Sequence, residues 1–303
     1  MHEALQEKYN HLRNIASQAG SAIIAFSGGV DSTFLLKVSV DELGERAVAV
    51  TARSETFPKR ELKQAQTLAR LIGAHHLVID SEELKVPDYS NNPPHRCFLC
   101  KSELFSKLKK IAVEQNIPWI FDGNNVEDAG DFRPGRAAAR KFGVRSPLEE
   151  AGLNKEEIRN LSKFLELPTW NKPSLACLSS RFPYHTKITQ SALQQIEKAE
   201  DFLWDLGMRE FRVRHHDTLA RLELGKRELS LFLKNATGDK IVQRLKSLGY
   251  TYVTLDLEGY RMGSMNKTLS SDELACELQQ LPPLPRRPAT SSAESEGIKG
   301  RGK

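Results

Sequence analysis

The stretch at residues 23–33, IIAFSGGVDST, constrains this chain more than any other. Four apolar residues (Ile23, Ile24, Ala25, Phe26) read as a short buried strand, and Ser27, Gly28 and Gly29 as a tight turn. The next residues open a helix: Asp31, Ser32 and Thr33 are helix N-terminal types, and the run to Gly44 is apolar enough to pack back on a sheet. A glycine pair lets a ligand approach the main chain, and a helix mouth offers unpaired N–H groups at the positive end of its dipole. Together they form an anion cradle. The spacing is not that of the Walker loop, G-x-x-x-x-G-K-[ST].

SGGVDS resembles the pyrophosphate loop of the ATP pyrophosphatase superfamily, the PP-loop enzymes. That resemblance implies cleavage of ATP between the α and β phosphates, adenylation of a substrate oxygen and release of pyrophosphate. The competing reading is an ordinary glycine turn.

The rest of the chain supplies the sheet such a loop needs. Residues 47–51, 76–79 and 119–121 read as further strands, with helical spacing at 3–18, 59–72, 101–113 and 154–165 between and around them. Strands alternating with helices predict an α/β fold, a doubly wound parallel sheet with ligands at the carboxyl ends of its strands. Three polar loops lie there: 27–32, 52–57 (ARSETF) and 122–135, which starts with Asp122 and Gly123. From 189 the pattern changes to helix, two strands, a helix near 228–248 and a strand at 252–257, which predicts a second, smaller α+β domain. The expected division is a PP-loop ATP-binding domain at 1–185, the smaller domain at 186–280 and a disordered tail at 281–303. Between the two domains, residues 170–186 form a long polar loop suited to function.

With 303 residues the chain has room for a substantial core, and no apolar run reaches the length of a membrane span. The N-terminus is polar and amphipathic, so a cytoplasmic location is expected. A net charge of +5, partly in the tail, argues weakly for a polyanionic partner, and no RNA-binding motif accompanies it.

Of four cysteines, Cys97 and Cys100 make a C-x-x-C just before the predicted helix, Cys177 sits in the long loop, and Cys276 lies in a charged C-terminal segment. Three readings fit the first three. A structural zinc site wants a fourth ligand, for which His95 or His185 are candidates. A redox pair wants the motif at a helix start. An iron–sulfur cluster on three thiolates leaves one iron open. Spacing alone leaves these open, beside plain unligated cysteines.

A closer resemblance covers roughly 15–272. The run from Asp131 to Tyr184, DFRPGRAAARKFGVRSPLEEAGLNKEEIRNLSKFLELPTWNKPSLACLSSRFPY, followed by FRVRHHDTLARLEL and YVTLDLEGYRMGSMN, looks like the LarE family. These sulfur transferases mature the nickel-pincer nucleotide cofactor of lactate racemase. The resemblance implies the adenine nucleotide alpha hydrolase-like fold, with ATP and Mg²⁺ used to activate a carboxylate of pyridinium-3,5-biscarboxylic acid mononucleotide as an acyl-adenylate. Sulfur then replaces the carboxylate oxygen. In the better-known branch the cysteine matching Cys177 gives up its own sulfur and becomes dehydroalanine; those members lack the C-x-x-C. Cys97 and Cys100 depart from that branch and favour one in which Cys97, Cys100 and Cys177 hold a 4Fe–4S cluster whose open iron carries sulfide. The resemblance also implies a homo-oligomer and a sulfide or persulfide donor.

The implied roles are these. Ser27, Gly28, Gly29, Asp31, Ser32 and Thr33 hold pyrophosphate, with Asp31 on Mg²⁺. Ser54 meets adenosine, Asp122 and Gly123 line the nucleotide site, and Lys101 and Arg133 contact phosphates. Glu200, Arg212, Arg214, Glu223 and Arg261 surround Cys177 at the sulfur site. Leu231 stands where sacrificial members carry an acid. Rival functions are a PP-loop tRNA thiolase, a non-enzymatic nucleotide- or cluster-binding sensor and an amide-forming synthetase.

Overall fold

A computed structural model of the chain describes residues 3–129, 134–174, 176–233, 237–261, 264 and 269. Arg133, Cys276 and the 281–303 tail lie outside the described residues.

Four parallel strands, β1 (Ala22–Ala25), β2 (Ala47–Arg53), β3 (His75–Asp80) and β4 (Trp119–Phe121), form a sheet in the order β3-β2-β1-β4. Ala22 stands opposite Ala47 on one side and Trp119 on the other. Alternation along β1 sorts its side chains to two cores. Ala22 and Ile24 face one with Leu12, Phe34, Leu35 and Leu161; Ile23 faces the other with Phe105, Leu108 and Ala138. The helices supplying the first core are α1 (Glu3–Gln18), α2 (Val30–Leu43) and α3 (Lys59–Ile72). The second core draws on α4 (Arg96–Glu114) and α5 (Pro134–Lys141). A one-turn α6 (Pro147–Glu150) leads into α7 (Lys155–Phe164), which returns to the first core through Ile158 and Leu161. A capping box opens it: Asn154 Oδ1 accepts from Glu157 N at 2.8 Å, and Glu157 Oε2 from Asn154 N at 2.9 Å. Both faces of the sheet are covered, as the α/β reading requires.

The chain moves outward from β1 to β2 and β3, then crosses back to place β4 on the other side of β1. The connections reverse between β1 and β4, and the crevice outside their carboxyl ends is where such a sheet takes ligands.

The C-terminal part is built on α8 (Gln190–Asp205), α9 (Lys226–Phe232) and α10 (Thr237–Ser247) with strands β5 (Phe211–His216), β6 (Leu219–Leu224) and β7 (Tyr252–Leu255) in the order β5-β6-β7. Its core joins Leu203, Val213, Leu222 and Ile241. The single helix expected near 228–248 is two, and a Cβ on Gly238 would stand 3.2 Å from the Phe232 carbonyl, so α10 starts directly against the end of α9.

Candidate active site

The turn after β1 has the cradle geometry. Gly28 adopts φ +70°, a conformation side chains resist, and an added Cβ would meet Ala65 Cβ of α3 at 3.1 Å. Gly29 caps α2, and Ser32 Oγ sits 3.1 Å from Ser27 Oγ and accepts from Ser27 N at 3.3 Å. From β4 the chain comes in close: a Cβ on Gly123 would lie 3.1 Å from Ser32 N. Thr33 is fully buried, its hydroxyl has no hydrogen-bond partner among the described residues, and its backbone N–H donates to the Gly29 carbonyl at 2.9 Å.

The carboxylates of the crevice are already engaged. Asp31 pairs with Lys155 at the start of α7 and lies 3.5 Å from Asn125 Nδ2. Asp122 accepts from Ser146 Oγ at 2.7 Å and from Asn124 Nδ2 at 2.6 Å; burial raises its pKa against the pull of Ser146 and Lys101. In the 52–57 loop Ser54 Oγ lies 3.2 Å from Thr56 Oγ1, whose hydroxyl bonds buried Glu83. Lys101 lies over the Phe105 ring at 5.5 Å, and its charge acts on Asp122, Cys97 and Cys100.

Cys97 and Cys100 lie inside α4, not before it. The helix begins at Arg96, directly after Pro93, Pro94 and His95, where the two prolines have ended the preceding turn. Spacing of three then stacks both thiols on one face. Cys100 packs against the core of Tyr89, Leu178 and Phe182, which also carries the neighbour of Cys177. The charge of Cys177 acts on both Cys97 and Cys100 and adds to the raising of their pKa values. Burial raises Cys97 and Cys100, and Glu83 and Cys177 push Cys100 further. Cys97 keeps an exposed surface in the first turn of α4. Arg96, itself buried, supplies a nearby positive charge.

Cys177 is held by a residue the sequence reading missed. Arg181, 1% exposed, donates from Nη1 to the carbonyls of Ala176 (2.9 Å) and Cys177 (3.0 Å) and to Ser180 Oγ (2.8 Å). Its Nε and Nη2 form a fork on Glu200 of α8 at 2.9 and 2.8 Å. Burial alone would raise the Glu200 carboxyl, but Arg181, with help from Arg212 and the Val213 N–H, brings it below the usual range. Beside this pair, Arg214 donates to Glu223 at 2.7 Å, to Ser264 at 2.8 Å and to the Ser180 carbonyl at 2.7 Å. Arg212 reaches the Ser174 carbonyl at 2.8 Å and Tyr260 OH at 3.2 Å, and burial followed by Arg181 lowers its pKa. Glu200, Arg212, Arg214 and Glu223 thus converge on the Cys177 loop. Arg261 is one step removed, on Asp256 at 3.3 Å and on Glu258, with Arg221 bridging Asp256 to Glu223. Leu231 is partly exposed on α9.

Two ties join the two halves of the crevice. Leu178 N donates to the Thr56 carbonyl at 2.8 Å, and Lys172 donates to the Gly28 carbonyl at 3.0 Å. The phosphate loop, the 52–57 loop and the Cys177 loop are therefore one connected structure.

Among the described residues no three His, Cys, Asp or Glu side chains gather as ligands of a single metal ion. No described helix is long and apolar enough to cross a membrane.

No family profile matches the chain. An uncharacterized protein of Synechocystis sp. is 43% identical over 266 residues, 88% of this chain and 99% of its own. The pyridinium-3,5-bisthiocarboxylic acid mononucleotide synthase of Lactiplantibacillus plantarum is 40% identical over 253 residues, 83% of this chain and 91% of its own. A more distant likeness, 26% over 206 residues, is to a glutamine-hydrolyzing GMP synthase of Phaeosphaeria nodorum; it spans 57% of this chain and 38% of that one. The fold is the α/β fold of the PP-loop enzymes, and the protein is an enzyme of the ATP pyrophosphatase type. With a parallel sheet, an SGGVDS cradle at its switch point and 40% identity across most of both chains, the protein belongs to the pyridinium-3,5-bisthiocarboxylic acid mononucleotide synthase (LarE) family.

Proposed function

We propose that the chain is an ATP-dependent sulfur transferase acting on pyridinium-3,5-biscarboxylic acid mononucleotide, with sulfur delivered at Cys97, Cys100 and Cys177 rather than taken from Cys177. The observation carrying this reading is the Cys177 loop, tied to the phosphate cradle through Lys172 and sharing a core with Cys100, on a chain 40% identical to the synthase.

In the first step a substrate carboxylate oxygen attacks the α-phosphorus of ATP, the α–β bridging bond breaks and pyrophosphate leaves. N–H groups at the mouth of α2 face the charge that builds on the leaving group. Asp31 would hold Mg²⁺, which neutralises phosphate charge when bound; its carboxylate, now paired with Lys155, is an oxygen donor of the hard type that ion takes. Lys101 and Arg133 contact phosphates, Ser54 the adenosine, and Asp122 and Gly123 line the nucleotide.

In the second step a sulfide attacks the acyl carbon, and AMP departs with the original carboxylate oxygen. The product is a thiocarboxylate. Cys97, Cys100 and Cys177 would hold a 4Fe–4S cluster, which supplies an open iron to carry exogenous sulfide. The donors are of the right chemical type: Cys97 and Cys100 stand three residues apart on α4, Cys177 adds to the raising of both pKa values, and burial disfavours the bare thiolates of Cys97 and Cys100. Arg212 and Arg214 provide positive charge for the adenylate, with Glu200 and Glu223 fixing them in place and Arg261 extending the field outward.

We take 1–185 as the ATP-binding domain and 186–280 as the smaller domain, and the enzyme as a cytoplasmic homo-oligomer fed by a sulfide or persulfide donor. The test is product analysis with the pyridinium dicarboxylate. AMP, pyrophosphate and thiocarboxylate formed in parallel over many turnovers support the reading. ADP in place of AMP, or activity only with bulk tRNA, overturns it.

A further inference from the structure

We propose that Lys172 is a positioning residue that couples the phosphate loop to the Cys177 loop. The proposal rests on the reading that ATP occupies the mouth of α2.

Lys172 spends its whole donor set on one place. An ammonium has three N–H donors. They go to the Gly28 carbonyl at 3.0 Å, Glu61 Oε2 at 2.7 Å and Gln64 Oε1 at 3.0 Å. The pair is well covered, with side chains 14% and 6% exposed for Lys172 and Glu61. The backbone that carries the lysine is also fixed. Arg159 of α7 donates to the carbonyls of Trp170 and Lys172 at 2.8 and 2.9 Å, and Lys163 lies over the Trp170 ring at 5.0 Å. The ammonium therefore reaches Gly28 from a rigid base.

What it grips is the least restrained bond of the cradle. A peptide between two glycines turns over at little steric cost. A trans peptide points its C=O and the following N–H in opposite directions. Holding the Gly28 carbonyl against α3 leaves the Gly29 N–H directed the other way, with only a long 3.4 Å contact to Ser27 Oγ. That N–H belongs to the helix cap, where an anion would sit. An anion that takes the Gly29 N–H favours the same peptide orientation that Lys172 favours. Binding on one side and order in the 170–181 segment on the other are then linked, and the linkage is reciprocal. Cys177 lies five positions along this segment, whose far end is tied to Thr56 and Glu200.

Amide hydrogen exchange of the full-length protein, with and without the α,β-methylene analogue of ATP and Mg²⁺, tests this. In the wild type the analogue slows exchange in peptides from 27–43 and from 170–181, by roughly 5-fold or more. In Lys172→Met the protection of 27–43 remains while that of 170–181 is lost, and Lys172→Arg regains part of it. Should Lys172→Met fail to fold by circular dichroism, Lys172→Gln serves in its place. Equal protection of 170–181 in the folded variant and the wild type overturns the proposal, as does its absence in a wild type that protects 27–43. No protection at 27–43 in the wild type refutes ATP binding at α2 itself, and the coupling with it.

Discussion

The phosphate end and the sulfur end of this crevice are built in opposite ways. The phosphate end is mostly backbone: one glycine turn and one helix start, contiguous from Ser27 to Ser32, with Gly123 closing in from β4. The sulfur end is made of side chains. Arg181, Glu200, Arg214 and Glu223 are nearly or fully buried charges from four separate elements, the Cys177 loop, α8, β5 and β6, and they meet only because the C-terminal sheet packs against the Cys177 loop. A backbone site tolerates side-chain change and depends on conformation. A buried charge network tolerates little, because removing one partner strands the other. The comparison can be broken or sharpened experimentally.

The largest effect is expected where a side chain does act at the phosphate end. Asp31→Ala should lower substrate-dependent AMP formation by roughly 10²-fold or more while leaving the folded spectrum unchanged. If AMP formation survives, the backbone alone suffices and Asp31 has no metal to hold. Replacing Cys97, Cys100 or Cys177 singly by Ser should abolish thiocarboxylate formation yet spare binding of ATP, measured by calorimetry. Loss of ATP binding in these variants would mean that the two ends do not separate.

Arg181→Met comes next. It leaves Glu200 buried and unpaired, and should cost about 3–5 kcal/mol in denaturant-measured stability. A loss below about 1 kcal/mol would mean that the pair behaves as a surface ion pair. The smallest effect belongs to Thr33→Val. The methyl group replaces a buried hydroxyl without a partner, so stability should hold or rise by up to about 1 kcal/mol, with the KM for ATP unchanged. A raised KM would show that the hydroxyl reaches the nucleotide.

This same contrast explains what the sequence revealed. The strand, the glycine turn and the helix mouth were legible because the information is contiguous, and the sheet followed from strands alternating with amphipathic helices. The second C-terminal helix boundary was not, because it depends on Gly238 meeting the Phe232 carbonyl. The start of α4 was placed late, since C-F-L-C has no helix-start signal of its own and Pro93-Pro94 mark only where the earlier turn ends. Lys155, Lys172 and Arg181 were missed altogether. Lys155 meets Asp31 across 124 positions and Lys172 meets Glu61 across 111, and a lone cation among polar residues carries no periodic signal for such a partner. Glu200, Arg212, Arg214 and Glu223 came from family resemblance; as isolated charges each would read as surface. The geometry gathers them, and adds Arg181 as the residue that joins them to Cys177.

The central claim is the proposal that sulfur is delivered at Cys97, Cys100 and Cys177 without being taken from the protein. Intact-protein and peptide mass spectrometry after several turnovers, on anaerobically reconstituted enzyme with ~4 irons per chain, tests it most directly. The account predicts more than one thiocarboxylate per chain with Cys177 unchanged in mass. Dehydroalanine at Cys177, a single turnover per chain and no need for iron would contradict it.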